Sequence, residues 1–231
     1  MFSIGENMMK KILVAVGLAL AATGANANIV SGNLEITGEN TVNIISPNSW
    51  GPISSIPDGG YKSGFSGTLI SNVTGTFTAT YLGQVASFAN FFLAGGSELN
   101  GGRPMKGLGI AGIGNTISTD VTAGEKVDFA FSRDNNGDNV ADLPLVRNGD
   151  SLQARRGILM FLNTFGLTDA SGDAFDFLIG FNDSAPDNDY DDYVVGVTAV
   201  NAVPVPAALP LLASAFGMFG LARRKDKAKS A

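Results

Sequence analysis

The run Val73–Tyr81, VTGTFTATY, alternates without a break. Val73, Gly75, Phe77, Ala79 and Tyr81 fall on one side, and Thr74, Thr76, Thr78 and Thr80 on the other. Two is the side-chain period of a strand, so the run predicts one apolar face against a core and a threonine face toward water. Moving outward, residues 126–132 (KVDFAFS) repeat the pattern with Val127, Phe129 and Phe131. Residues 174–181 (AFDFLIGF) do so through Phe175, Phe177 and Ile179. GILMFLN (157–163) reads as a strand buried on both faces, and DYVVGVTAV (192–200) as the last strand. Residues 82–92 (LGQVASFANFF) fit either a short helical turn, with Val85, Phe88, Phe91 and Phe92 on one face, or strand-loop-strand.

Turn signals separate these runs: Asp58-Gly59-Gly60, Gly95-Gly96, Asn100-Gly101-Gly102, Asn148-Gly149 and Ser171-Gly172. Many short strands between glycine turns predict an all-β body, an antiparallel β-sandwich of jelly-roll-like form. An N-terminal signal helix and a C-terminal hydrophobic helix are expected to flank it.

The 231 residues include 30 glycines but neither cysteine nor histidine. Zinc sites, thiol nucleophiles and Ser-His-Asp triads in their usual forms are therefore excluded. Stability must come from core packing or bound ions rather than disulfides. Between Asn28 and Pro206 there are 19 acidic and 8 basic residues, a balance of −11. Such a body is a poor partner for nucleic acid and a good one for cations.

The two ends read as addresses. Lys10 and Lys11, the apolar run Ile12–Ala22, and Ala25-Asn26-Ala27 have the layout of a secretory signal peptide. Signal peptidase would cut after Ala27, leaving a body from Asn28 to Ala202; Met8 or Met9 would serve as the start. At the other end, Val203-Pro204-Val205-Pro206-Ala207 precedes an apolar stretch to Ala222, and Arg223, Arg224 and Lys225 close it. Counted from Val203, that stretch reaches the ~20 residues that span a bilayer, with the basic cluster left in the cytoplasm.

This order of proline motif, apolar helix and arginine cluster resembles the PEP-CTERM class of bacterial sorting signals in its VPLPA variant, with Val205 in place of Leu. The resemblance covers residues 203–231. It implies export across the inner membrane of a Gram-negative bacterium and cleavage near the prolines by an exosortase-type membrane protease. The product would reside in the envelope, at the cell surface or in the extracellular polysaccharide matrix of a biofilm. A permanent membrane anchor is the simpler reading of the same tail.

One loop concentrates charge: Asn182-Asp183-Ser184-Ala185-Pro186-Asp187-Asn188-Asp189-Tyr190-Asp191-Asp192. Close carboxylates repel, and calcium, which takes six to eight oxygen ligands, removes the penalty. Extended spacing puts Asp187, Asp189 and Asp191 on one side, and a turn at Pro186 would return Asp183 to them. A solvated acidic hairpin is the alternative.

The parts Gly180-Phe181-Asn182-Asp183, Asp187-Asn188-Asp189-Tyr190-Asp191-Asp192 and Tyr193-Val194-Val195 resemble a motif of bacterial extracellular domains, many with PEP-CTERM tails. The resemblance implies a Ca2+ site at a sandwich edge, with Asp183, Asp187, Asp189, Asp191 and Asp192 as its ligands. Asn182 stands where that motif often has Glu, which weakens the donor set, and Asp191 where it often has Asn.

A weaker second candidate is Asp134, Asn136, Asp138 and Asp142, spaced like the start of an EF-hand loop. Gly137 comes too early, Leu145 replaces the bidentate glutamate, and no helix is expected on either side. The alternative is a polar connection between strands. Both loops converging on one site is also compatible with the sequence.

These readings favour a secreted structural or adhesion protein that associates with polysaccharide. A carbohydrate-binding module is the second reading, with Trp50, Tyr61, Tyr190 and Tyr193 as the aromatics bearing polar handles. An enzyme is not expected. The acidic loop looks too exposed and crowded to separate two carboxylate pKa values. GLGIAGIGN (107–115) lacks the periodicity and basic residue of a phosphate loop.

Overall fold

The computed structural model describes residues 28–44, 61–86, 88–100, 112–136, 138, 140–142, 145–150, 152, 157–183 and 189–202. Among them are twelve strands and no helix. The strands are β1 (Ile29–Ser31), β2 (Leu34–Asn43), β3 (Ser63–Ser71), β4 (Gly75–Gly83), β5 (Asn90–Ala94) and β6 (Ser97–Asn100). They continue as β7 (Thr116–Val121), β8 (Phe129–Arg133), β9 (Val146–Arg147), β10 (Gly157–Leu162), β11 (Phe177–Asn182) and β12 (Tyr193–Asn201). An eight-stranded sheet runs β1-β2-β3-β10-β11-β12-β4-β7, and a four-stranded sheet runs β6-β5-β8-β9. Every strand pairing is antiparallel.

The two sheets pack face to face, as in a β-sandwich. Aromatic rings fill the space between them. Phe131 of the small sheet lies 5.1 Å from Phe181 and 5.9 Å from Tyr193 of the large one, and Phe129 lies 6.3 Å from Phe77. Burying each such ring contributes roughly 1.5–3 kcal/mol. The predicted face of β4 is the observed one, since Phe77, Ala79 and Tyr81 all belong to this core. So do Val127, Phe129 and Phe131.

The outer face of the large sheet carries a second apolar cluster of Tyr61, Leu159, Phe161, Leu167, Phe175, Leu178, Tyr190 and Val194. This explains why β10 and β11 are buried on both sides. It also corrects two expectations. Phe175 does not share the face of Phe177 and Ile179; it belongs to the outer cluster. Pairing with β12 begins only at Phe177, and the Thr168–Ala174 bridge belongs to a separate small hairpin. The Phe175 ring there covers Gly196, where a Cβ would come 2.5 Å from the ring. Thr80, expected in water, is buried opposite Gly196 in this covered region.

Residues 82–92 form strand-loop-strand, β4 ending at Gly83 and β5 starting at Asn90. Gly95 and Gly96 make the β5–β6 turn with φ of +56° and +78°, which glycine adopts without a steric penalty.

Candidate metal centre

The register of the last hairpin gathers the acidic groups. β11 and β12 pair Phe177 with Val197 and Phe181 with Tyr193. Continued two steps, that pairing sets Asn182 and Asp183 against Asp192 and Asp191. The Asp183 amide accordingly donates to Asp192 Oδ2 at 2.8 Å. The Asp191 carbonyl accepts from Val85 N at 2.8 Å, which ties the loop to the end of β4. Pairing of β12 with β4 slips between Val194 and Val195, where Leu82 is the extra residue. Such bulges re-aim chain ends beside sites.

Asp189, Asp191 and Asp192 each offer a carboxylate oxygen, and the three oxygens lie within 4.8 Å of one another. Two ligands at roughly 2.3–2.6 Å from a shared calcium are separated by up to about twice that distance. The spacing is compatible with a shared cation. Among the described residues this is the one such group of three.

Asp189 is half-buried, and the other carboxylates at this end are not on the surface. Asp183, Asp191 and Asp192 are 3%, 2% and 7% exposed. The expectation of an exposed, solvated loop is thus corrected for them. Asn90 of β5 and Arg133 at the β8 exit bond to Asp183 and Asp192. Removing carboxylates from water costs several kcal/mol each unless charge and hydrogen bonds compensate.

The compensation comes partly from residues the sequence did not single out. Asn90, at the start of β5, is fully buried. Its Nδ2 donates to Asp183 Oδ2 at 3.0 Å and to the Asp192 carbonyl at 2.9 Å. Arg133, paired with Asn90 across β5 and β8, donates from its guanidinium to the Asp183 carbonyl at 3.2 Å. That guanidinium also lies 4.6 Å above the Phe88 ring. The signal for Asn90 was a lone carboxamide inside the apolar run Phe88-Ala89-Asn90-Phe91-Phe92.

Asp183 is drawn to this end of the sandwich as expected, but it sits beside the three-oxygen group, held by Asn90, and is not one of the three. Asp187 lies outside the described residues. Tyr190 holds the loop down. It is the only non-glycine residue with positive φ (57°) among the described residues, and its ring is buried in the outer cluster. Burial, and then the neighbouring Asp189 charge, raise its hydroxyl pKa above the ordinary value.

The second candidate loop leaves β8 at the same end, with Asp134 N bonded to the Ala89 carbonyl at 2.8 Å. Its oxygens cap its own backbone. Asp134 Oδ1 accepts from Asn136 N, Asn136 Oδ1 from Asp138 N, and Asp138 Oδ1 from Val140 N, at 2.9–3.0 Å. Asp142 Oδ2 accepts from Asn135 N at 2.6 Å. The two loops approach through Asn90 and Arg133, and Asp134, Asp138 and Asp142 do not belong to the group of three carboxylate oxygens.

The polar aromatics among the described residues are buried. Tyr193 is fully buried and its hydroxyl donates to the Leu99 carbonyl at 2.8 Å. Tyr190 and Tyr61 are buried in the outer cluster, and Trp50 lies outside the described residues. So do the cleavage residues Ala25 and Ala27 and the sorting residues Val203, Pro204, Val205, Pro206, Ala207, Arg223 and Arg224. Among the described residues no helix is long and apolar enough to cross a membrane. No family model, curated protein or solved structure matches the chain.

Proposed function

We propose that the chain is an exported β-sandwich of the bacterial surface or matrix, with a structural or adhesive role and a calcium ion at Asp189, Asp191 and Asp192. The observation that carries this reading is the group of three carboxylate oxygens within 4.8 Å at the end of a packed hairpin. Oxygen-only donors and a body of charge −11 without cysteine or histidine suit calcium over zinc or copper. Delivery rests on the sequence of the two ends: a signal peptide, then a PEP-CTERM-like tail handled by an exosortase-type protease. A jelly-roll-like topology is supported by the chain's passage between sheets, with β4, β7 and β10 in the large sheet and β5, β6, β8 and β9 in the small one.

The test is thermal melting of the full chain in detergent, with millimolar calcium and with chelator. A ligand that binds only the folded state raises its stability by about 2.7 kcal/mol at a hundredfold excess over Kd. The expected result is a higher melting temperature in calcium, lost when Asp189 and Asp191 are both changed to Ala. Equal melting in calcium and chelator would remove the ion from the reading.

A further inference from the structure

We infer that Asn90 supplies a neutral oxygen to the cation held by Asp189, Asp191 and Asp192, so that the ion joins the small sheet to the last hairpin of the large one. The inference rests on the calcium reading above and extends it to a residue on a different sheet. Its basis is the Asn90 side chain itself. This carboxamide is fully buried, and its Oδ1 has no hydrogen-bond partner. Its orientation is fixed. Nδ2 faces two acceptors, Asp183 Oδ2 and the Asp192 carbonyl, so an exchange of N and O would set oxygen against oxygen twice. Oδ1 is therefore a true acceptor, and leaving one buried and unmet costs about 1–3 kcal/mol.

The width of an amide keeps Oδ1 within about 5 Å of both Asp183 Oδ2 and the Asp192 carbonyl. Asp192 is itself one of the three carboxylates. Three carboxylates already exceed the charge of one calcium, so the remaining ligands of a six- to eight-oxygen shell are best neutral, as a carboxamide oxygen is. Asn90 opens β5, and the acidic residues lead into β12, so the ion would close one end of the sandwich. The Asn90–Asp183 contact joins residues 93 apart in sequence. Calcium binding should then depend on docking of the two sheets.

The experiment is a calcium titration by calorimetry of the full chain in detergent, wild type against Asn90→Leu and Asn90→Asp. Loss of a ligand should weaken binding about tenfold or more in Asn90→Leu. Asn90→Asp should melt lower in chelator, because it adds like charge, and should gain more from calcium than wild type does. In the unmutated protein, the Asn90 side-chain carbonyl carbon resonance should move at one equivalent of calcium; this readout stands even if Asn90→Leu does not fold. Wild-type affinity in Asn90→Leu, or a stationary Asn90 resonance while those of Asp189 and Asp191 move, overturns the role of Asn90 and leaves the calcium site intact. Absence of calcium binding by the wild type overturns both.

Discussion

The backbone carbonyl of Tyr190 lies over Gly180, 2.2 Å from where a Cβ on that residue would stand. The glycine of β11 is what lets the acidic loop fold down onto the strand. Gly180→Ala should therefore lift the loop or bend the strand, at the roughly 1–3 kcal/mol typical of overpacking. For a body of this size that is a fall of about 2–4 °C in Tm per kcal/mol. Denaturant melts in chelator will measure the packing cost. The same variant should also show a smaller calcium shift, because Tyr190 sits between Asp189 and Asp191.

Asn148 acts as a clip between the sheets. Its Oδ1 accepts from Leu69 N and its Nδ2 donates to the Leu69 and Val127 carbonyls, all at 2.8 Å. Asn148→Ala leaves the Leu69 amide and the Val127 carbonyl without this partner, while the Leu69 carbonyl still accepts from Val127 N at 3.0 Å, and should cost about 2–4 kcal/mol, since each orphaned group costs roughly 1–3. Asn148→Asp should be worse at neutral pH, with a carboxylate facing two carbonyls, and should recover part of the loss in acid. Urea midpoints at two pH values separate the two variants.

Asp192 has two roles that substitution can divide. Its Oδ2 caps the Asp183 amide, and it also belongs to the three-oxygen group. Asp192→Asn keeps an acceptor for the cap and removes one charge. It should melt at or above wild type in chelator and lose about tenfold or more in calcium affinity. Asp192→Ala should lose the affinity and also about 1–2 kcal/mol of stability in chelator.

Two acidic groups outside the site set a pH dependence. Burial raises the pKa of Asp176, against hydrogen bonds from Ala199 N and Asn33 N that lower it, and burial raises that of Glu98. A raised folded-state pKa means the folded form holds its proton longer than the unfolded one. The contribution is complete below the ordinary carboxylate range and is lost as pH rises through the folded value. Asp176→Asn should therefore gain on wild type as pH is raised above the ordinary carboxylate range in chelator. The buried hydroxyls of Tyr61, Tyr81, Tyr190 and Tyr193 are all shifted upward mainly by burial. Their contribution is complete below the usual tyrosine value and is lost above about pH 10, so wild type should unfold at the alkaline end. Melting curves across the range test both limbs.

Apolar runs in the sequence already located β4, β8, β10, β11 and β12, and alternation set the inner faces of β4 and β8. Phe77, Ala79 and Tyr81, like Val127, Phe129 and Phe131, face the core that their spacing indicated. This works because a strand places neighbouring side chains on opposite faces whatever it packs against. The Gly95-Gly96 turn was legible for a similar reason, since two consecutive positive φ angles ask for residues without Cβ. The acidic loop between β11 and β12 was visible as composition. The hairpin's register then follows from the two apolar runs that bound it.

What lies across from a strand is not written in its own period. Phe175 reads as in step with Phe177, yet it packs on the outer face because the ladder starts two residues later. Tyr190 and Tyr193, read from the sequence only as aromatics with polar handles, are buried, since a second apolar layer covers the large sheet and the small sheet covers the other face.

The sequence by itself determined an all-β body, its strand faces, and a loop rich in carboxylates. Tertiary structure alone decided that Asp183, Asp191 and Asp192 are buried, and that Asn90 and Arg133 meet them. The physical reason is range. Strand period and turn chemistry act over a few residues, whereas the burial and charge balance of this site depend on docking segments of distant sequence, and no local pattern encodes that docking.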